Sequence, residues 1–254
     1  MLVEIRFYSE LDDLLSNERR GGPFTVEVSA GTTVKDLAES LGVPHTEIDV
    51  ILVNHESVGF THRVRDGDRV SVYPVFEALD VTPIVHLRPV PLRHPRFVLD
   101  VHLGRLARNL RLLGFDTLWS NAHTDEELLV LSVQDNRILL TRDRGLLKRR
   151  AVTHGYLVRE TSRRAQILEV LNRFDLFEAI REFSRCLECN GLLEPVPKSE
   201  VDPHLPARTR REHQEYWRCT GCGRVYWRGS HFRRLSEVVD DLRRSNQASS
   251  EPLR

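Results

Sequence analysis

Residues 97–117, FVLDVHLGRLARNLRLLGFDT, carry one complete strand-to-helix transition. Phe97-Val98-Leu99 is a short apolar run of buried-strand type, and it ends at Asp100. Leu103, Leu106, Ala107 and Leu110 follow at i, i+3, i+4 and i+7, which predicts an amphipathic helix stopped by a C-cap at Gly114. The unit then repeats. Asp116–Trp119 reads as a strand, and Thr124 opens a helix through Gln134 with Leu128, Leu129, Leu131 and Val133 as its apolar residues. Arg137–Thr141 (RILLT) and Tyr156–Val158 read as further strands, and Thr161–Phe174 as a third helix. Alternating β-α units of this length predict a parallel, three-layer α/β sheet.

In open parallel sheets functional groups gather beyond the carboxyl ends of the strands. Asp100 and Asp143 stand at two such ends, and Asp125 starts the helix after Thr124. Oxygen-rich carboxylate sets suit Mg²⁺ or Mn²⁺, which activate water and neutralise charge developing on a phosphodiester. Asp100, Asp125 and Asp143 are therefore candidate catalytic metal ligands, with Glu126 as a further candidate. Each acid also has a purely structural reading. Thr124-Asp-Glu-Glu127 fits a capping box, which assigns Glu127 to capping. Negative charge at Asp125 and Glu126 suits a first helical turn without any function. Asp143 suits the N-cap of the stretch Gly145-Leu146-Leu147.

The flanks differ in composition. The chain has 254 residues with 37 basic and 37 acidic side chains. Residues 1–94 hold 9 basic and 15 acidic residues (net −6), leaving 28 and 22 (net +6) for 95–254. A basic C-terminal part suits an anionic partner such as RNA, and equally an ordinary solvated surface. Residues 1–76 read as β-β-α-β-β. Strand-like runs lie at Leu2–Phe7, Pro23–Ser29, Asp49–Asn54 and Arg69–Tyr73, with a helix capped by Thr33 and stopped by Gly42. Pro83, Pro89, Pro91 and Pro95 mark 77–96 as a linker. No run approaches the roughly 18 apolar residues of a membrane span. The first twenty residues are too charged for a secretory signal, so a cytoplasmic location is expected.

All four cysteines fall in two knuckles, Cys186-Leu-Glu-Cys189 and Cys219-Thr-Gly-Cys222. Paired CxxC knuckles bring four thiolates into tetrahedral reach of one structural Zn²⁺, and a signal-less chain disfavours the rival reading of two disulfides. The insert between the knuckles is longer than usual, so its Lys198, Arg208, Arg210 and Arg211 are expected to loop out. After the second knuckle, Arg224-Val-Tyr-Trp-Arg228 interleaves aromatic and basic residues. Tyr226 and Trp227 there fit either a small ribbon core or a platform for stacking bases.

The stretches 97–117, TDEELLVLSVQDNRILLTRDRGLL (124–147) and the cysteine block together resemble the PIN-like RNase family called the Mut-seven C-terminal domain. Members pair a PIN-fold nuclease domain with a zinc ribbon, and some carry an N-terminal ubiquitin-like domain. The resemblance implies metal binding by Asp100, Asp125 and Asp143, and positioning roles for Thr141 and Arg142. Many relatives have another acid where this chain has Gly145, so its ligand set departs from their two-metal pattern. Residues 51–75 are similar to the small β-grasp sulfur carriers, but the terminal Gly-Gly of those carriers is missing. The expectation there is a module that docks onto a protein partner.

The expected architecture is α+β and α/β multidomain. It comprises a ubiquitin-like β-grasp domain (1–76), a linker (77–96), a PIN-like domain (97–183), a zinc ribbon (184–235) and a C-terminal helix and polar tail (236–254). The expected activity is metal-dependent hydrolysis of single-stranded RNA. Arg105, Arg108 and Arg111, recurring every three residues, are expected with Arg142 and Trp227 to contact the nucleic acid. A non-catalytic RNA-binding adaptor is the rival reading.

Overall fold

The computed structural model describes residues 1–74, 95–202 and 205–229, with Glu237, Asp240, Asp241 and Arg244 beyond them. Apart from Pro95, Arg96 and those four residues, the expected linker and the expected C-terminal helix and tail lie outside the described residues. In chain order the N-terminal elements are β1 (Leu2–Phe7), β2 (Phe24–Glu27), α1 (Val34–Ser40), β3 (Ile48–Val53), β4 (Glu56–Ser57) and β5 (Arg69–Pro74). The central elements are β6 (Phe97–Leu99), α2 (Gly104–Leu112), β7 (Thr117–Leu118), α3 (Asp125–Gln134), β8 (Ile138–Thr141), α4 (Arg144–Leu147), β9 (Gly155–Leu157) and α5 (Arg163–Arg173). The last are β10 (Leu193–Val196), α6 (Lys198–Val201), α7 (Ala207–Glu212), β11 (Tyr216–Cys219) and β12 (Val225–Trp227). Two compact units divide the chain, Met1–His94 with Thr124–Leu157, and Pro95–His123 with Val158–Arg254.

In the first unit a five-stranded sheet runs β2-β1-β5-β3-β4. The β1 strand is antiparallel to β2 and parallel to β5, the arrangement of a β-grasp fold. Alternation decides which face is buried. Val3, Ile5 and Phe7 of β1 and Val70 and Val72 of β5 are buried, with Leu37 and Ala38 of α1 also in the core. The Thr33 hydroxyl accepts the Asp36 amide at 3.1 Å and so starts α1. The same unit contains β8 and β9, which are parallel in the register Leu139↔Gly155, Leu140↔Tyr156 and Thr141↔Leu157. Every residue of β8 is buried, as expected of a strand covered on both faces.

The capping box of α3 forms as its sequence predicts. The Glu127 carboxylate accepts the Thr124 amide at 2.8 Å, and the Thr124 hydroxyl accepts the Glu127 amide at 3.2 Å. Thr124→Ala is expected to cost about 1 kcal/mol of stability, measurable by urea denaturation. The apolar side of α3 is narrower than expected. Leu128 is buried, whereas Val133 is 45% exposed. Its apolar residues run almost consecutively, so the helical turn spreads them around the axis instead of gathering them in a stripe.

In the second unit β6 and β7 are parallel, in the register Phe97↔Thr117 and Val98↔Leu118, with α2 between them in the chain. Leu103, Leu106, Ala107 and Leu110 are buried. Gly114 follows α2 with φ +95°, and a Cβ there would lie 2.2 Å from the Arg181 carbonyl. Only glycine fits that turn. Strands β10, β11 and β12 form an antiparallel three-stranded sheet. The insert between the knuckles does not simply loop out. It forms α6 and α7, and its Val201 and Leu205 join Tyr216 in a small core. No helix among the described residues is long and apolar enough to cross a membrane.

Candidate functional site

The cysteine centre is built by two tight turns. Asn190 donates its amide to the Cys186 carbonyl at 3.0 Å, and Gly223 donates to Cys219 at 3.0 Å. The Cys219 sulfur accepts the amides of Gly221 and Cys222 at 3.3 and 3.4 Å. A Cβ on Gly191 would come within 2.8 Å of that sulfur, so glycine lets the two knuckles close. The four sulfurs lie within 4.8 Å of one another; among the described residues this is the metal-ligand set that closes so tightly. The Cys186–Cys222 separation is 3.7 Å and the Cys189–Cys219 separation 3.3 Å. A tetrahedron of Zn–S bonds near 2.3 Å requires sulfur separations of about 3.8 Å. The set fits a zinc ion, and all four cysteines are free of disulfides.

Thiol chemistry points the same way. Burial pushes the Cys186 thiol up, but hydrogen bonds from Tyr226 and from the amides of Cys189 and Glu188 outweigh it and bring the group down to about 6. Burial, with the Cys219, Cys222 and Cys186 thiols alongside, raises Cys189 to about 12 against the Gly191 amide. Four neighbouring thiolates repel one another, so full ionisation of the set calls for a bound cation. Tyr226 supports the first knuckle directly. Its Oη lies 3.0 Å from the Cys186 sulfur and accepts the Leu187 amide at 3.3 Å.

The knuckle is also tied to α2 and β7. Arg111 is buried (4% exposed). Its guanidinium donates to the carbonyls of Thr117 (2.9 Å), Leu187 (3.1 Å) and Glu188 (2.7 Å). Burial lowers its pKa, opposed by the charges of Cys186, Cys189, Glu188 and Asp116. Asn190 accepts the Thr117 amide at 2.9 Å and donates to Asp116 at 2.8 Å. Sequence reasoning missed Asn190; its φ of +68° is a left-handed conformation that asparagine tolerates better than most residues, so an asparagine directly after the first knuckle is the signal that could have found it.

Arg111 therefore does not share an exposed face with Arg105 and Arg108, both of which are exposed. A three-residue step falls about 60° short of a full helical turn, so two steps bring Arg111 about 120° round toward the apolar side. Trp227 is partly buried and packs against the core of Val201, Leu205 and Tyr216, the ribbon-core placement of the two that its sequence allows. Arg108 pairs with Glu188 at 3.0 Å on the surface. Arg142 is exposed.

The acids stand at the ends of their elements. Asp100 follows β6 and is buried (5% exposed), and its Oδ1 accepts the His102 amide at 2.8 Å. Its carbonyl accepts the Trp119 indole N–H at 3.1 Å. Asp143 lies two residues past the end of β8 and caps α4, its Oδ1 accepting the Gly145 amide at 2.7 Å. The Asp143 amide donates to Thr141 Oγ1 at 2.9 Å, so Thr141 shapes the turn. A carboxylate accepts through both oxygens, so the cap on one oxygen of Asp143 leaves that group able to ligate. Asp125 is the exposed first residue of α3, and exposed Glu126 lies 3.9 Å from Arg149.

Comparison with known proteins adds the following. The model of the Mut7-C RNAse domain matches residues 95–239, and that of the Mut7-C ubiquitin domain matches residues 1–80. Among solved structures, a putative molybdopterin converting factor subunit 1 from Pyrococcus furiosus is 23% identical, over 30% of this chain and 99% of its own, with a TM-score of 0.24. SAMP1 from Haloferax volcanii is 17% identical, over 31% of this chain and 100% of its own, with a TM-score of 0.25. No curated protein matches the chain.

Proposed function

We propose that this chain, which belongs to the Mut7-C RNAse domain family, is a metal-dependent ribonuclease that hydrolyses phosphodiester bonds of single-stranded RNA. The observation that carries the reading is the placement of Asp100 and Asp143, each just past the carboxyl end of a parallel strand in a chain of that family. Asp100, Asp125 and Asp143 would hold Mg²⁺ or Mn²⁺, with Glu126 as a supplementary ligand, because hard oxygen donors suit these ions. Such a cation activates water for attack at phosphorus and neutralises charge developing on the phosphate. Carboxylates sharing one site repel one another until a cation joins them.

The protein's own groups supply orientation. The His102 and Gly145 amides fix one oxygen of Asp100 and of Asp143, and Thr141 fixes the Asp143 backbone. Arg105, Arg108 and Arg142 are the cations offered to RNA phosphates. The exposed Arg108–Glu188 pair is of a kind worth under about 1 kcal/mol, so Arg108 exchanges Glu188 for a phosphate at little cost. The four cysteines would hold a structural Zn²⁺, and four thiolates would fill its tetrahedral shell and leave no position for substrate.

The test is cleavage of single-stranded RNA with Mn²⁺, with and without chelator. Asp143→Asn is expected to lower the rate by about a hundredfold, in the range set by loss of a metal-positioning group. Unchanged cleavage would remove the carboxylate mechanism. RNA binding without cleavage by the wild type would favour the adaptor reading, to which Gly145, in place of a further acid, already lends weight.

A further inference from the structure

We infer that the β-grasp domain works in cis, holding the segment after Asp143, and that Glu47 is a positioning residue for that aspartate; the second half of this inference rests on the metal-site reading above. Four contacts, spaced along 144–157, reach the β-grasp residues. Arg144 Nη1 donates to the Leu14 carbonyl at 2.8 Å, and Lys148 Nζ to the Glu39 carbonyl at 2.6 Å. His45 Nε2 lies 3.0 Å from the Val152 carbonyl, and the Leu157 amide donates to Glu47 Oε1 at 2.8 Å. The two stretches fall in one compact unit.

These contacts use groups that are costly to bury. Glu47 is 1% exposed, and a buried carboxylate is tolerated only when hydrogen-bonded. The Val152 carbonyl is an acceptor only, so His45 Nε2 must carry the proton toward it, while Nδ1 sits 2.6 Å from the Glu39 carboxylate. Gly42, at φ +103°, leaves room for Arg144, whose Nη1 would lie 3.3 Å from a Cβ at that position.

The route from Glu47 to the aspartate is short. Glu47 anchors the amide of Leu157 in β9. Leu157 is paired with Thr141 in β8, and Thr141 Oγ1 receives the Asp143 amide. One β-grasp carboxylate therefore anchors the strand beside the one that leads to Asp143.

The experiment uses the full chain, comparing wild type, Glu47→Ala and Glu47→Gln. Its readouts are hydrogen exchange of residues 144–157, with 163–173 as internal control, and Mn²⁺ affinity by titration calorimetry. Glu47→Ala is expected to speed exchange in 144–157 by about tenfold or more while sparing 163–173. It is expected to weaken Mn²⁺ binding by about tenfold, as loss of an outer-shell partner does. Glu47→Gln keeps an acceptor oxygen and is expected to restore both. Unchanged exchange in 144–157, or an equal rise in 163–173, would overturn the cis role. Local exchange that rises while Mn²⁺ affinity holds would overturn the positioning of Asp143. A wild type that binds no Mn²⁺ would overturn the metal reading and with it the positioning role, and exchange would still decide whether the domain holds the segment.

Discussion

Cys219→Ser is expected to drop the zinc content from one ion per chain to none and to unfold the region from the first knuckle through β12. The size follows from what structural zinc contributes, about 10–16 kcal/mol of apparent folding free energy in zinc-finger peptides. The ribbon has little else to hold it, since its core is three buried residues with Val196, Val225 and Trp227 packed against them. Cys219 is central because its sulfur accepts two backbone amides in addition to facing Cys189. The damage should spread, because Arg111 and Asn190 tie the first knuckle to Thr117. Elemental analysis gives the metal content, and hydrogen exchange of 104–118 reads the spread. A variant that keeps its zinc, or a native chain found with two disulfides by mass, would contradict this account.

Arg111→Met is expected to destabilise the zinc-loaded protein by about 3–5 kcal/mol, the cost of breaking a buried charged interaction by removing one partner. Three carbonyls lose their donor at once, those of Thr117, Leu187 and Glu188. The positive charge beside Cys186 and Cys189 goes with them, so zinc should also leave faster under chelator. Urea denaturation followed by circular dichroism measures the first effect, and release to a chromogenic chelator the second. Arg105→Ala, on the exposed side of the same helix, should leave stability within about 0.5 kcal/mol. If Arg111→Met kept the wild-type midpoint and only weakened RNA binding, the guanidinium would be a phosphate contact after all.

These two residues show where reading the chain succeeds and where it stops. The knuckles were legible because a four-thiol set able to close on one ion imposes a short fixed spacing on a rare residue. The capping box at Thr124 and Glu127 was legible because both partners lie within one helical turn. So was the β-grasp order, through the strand-like runs at Leu2–Phe7, Pro23–Ser29, Asp49–Asn54 and Arg69–Tyr73 around the helix capped by Thr33. Arg111 was misread because its spacing from Arg105 resembles a face, while the helix turns about 120° between them. Trp227 was open between a ribbon core and a stacking platform, and the choice could not be made locally: its neighbours Val201 and Leu205 come from an insert whose folding back no local pattern announced.

The order of strands and helices, the paired cysteines and the acids at the strand ends belong to the chain as written, since each depends on neighbours only a few residues away. Which cations face solvent and which carboxylate is buried was decided by tertiary structure. Glu47 meets Leu157 across 110 positions and Arg111 meets Glu188 across 77. Burial in those places makes a hydrogen-bond partner obligatory for a charge that, exposed, would have needed none.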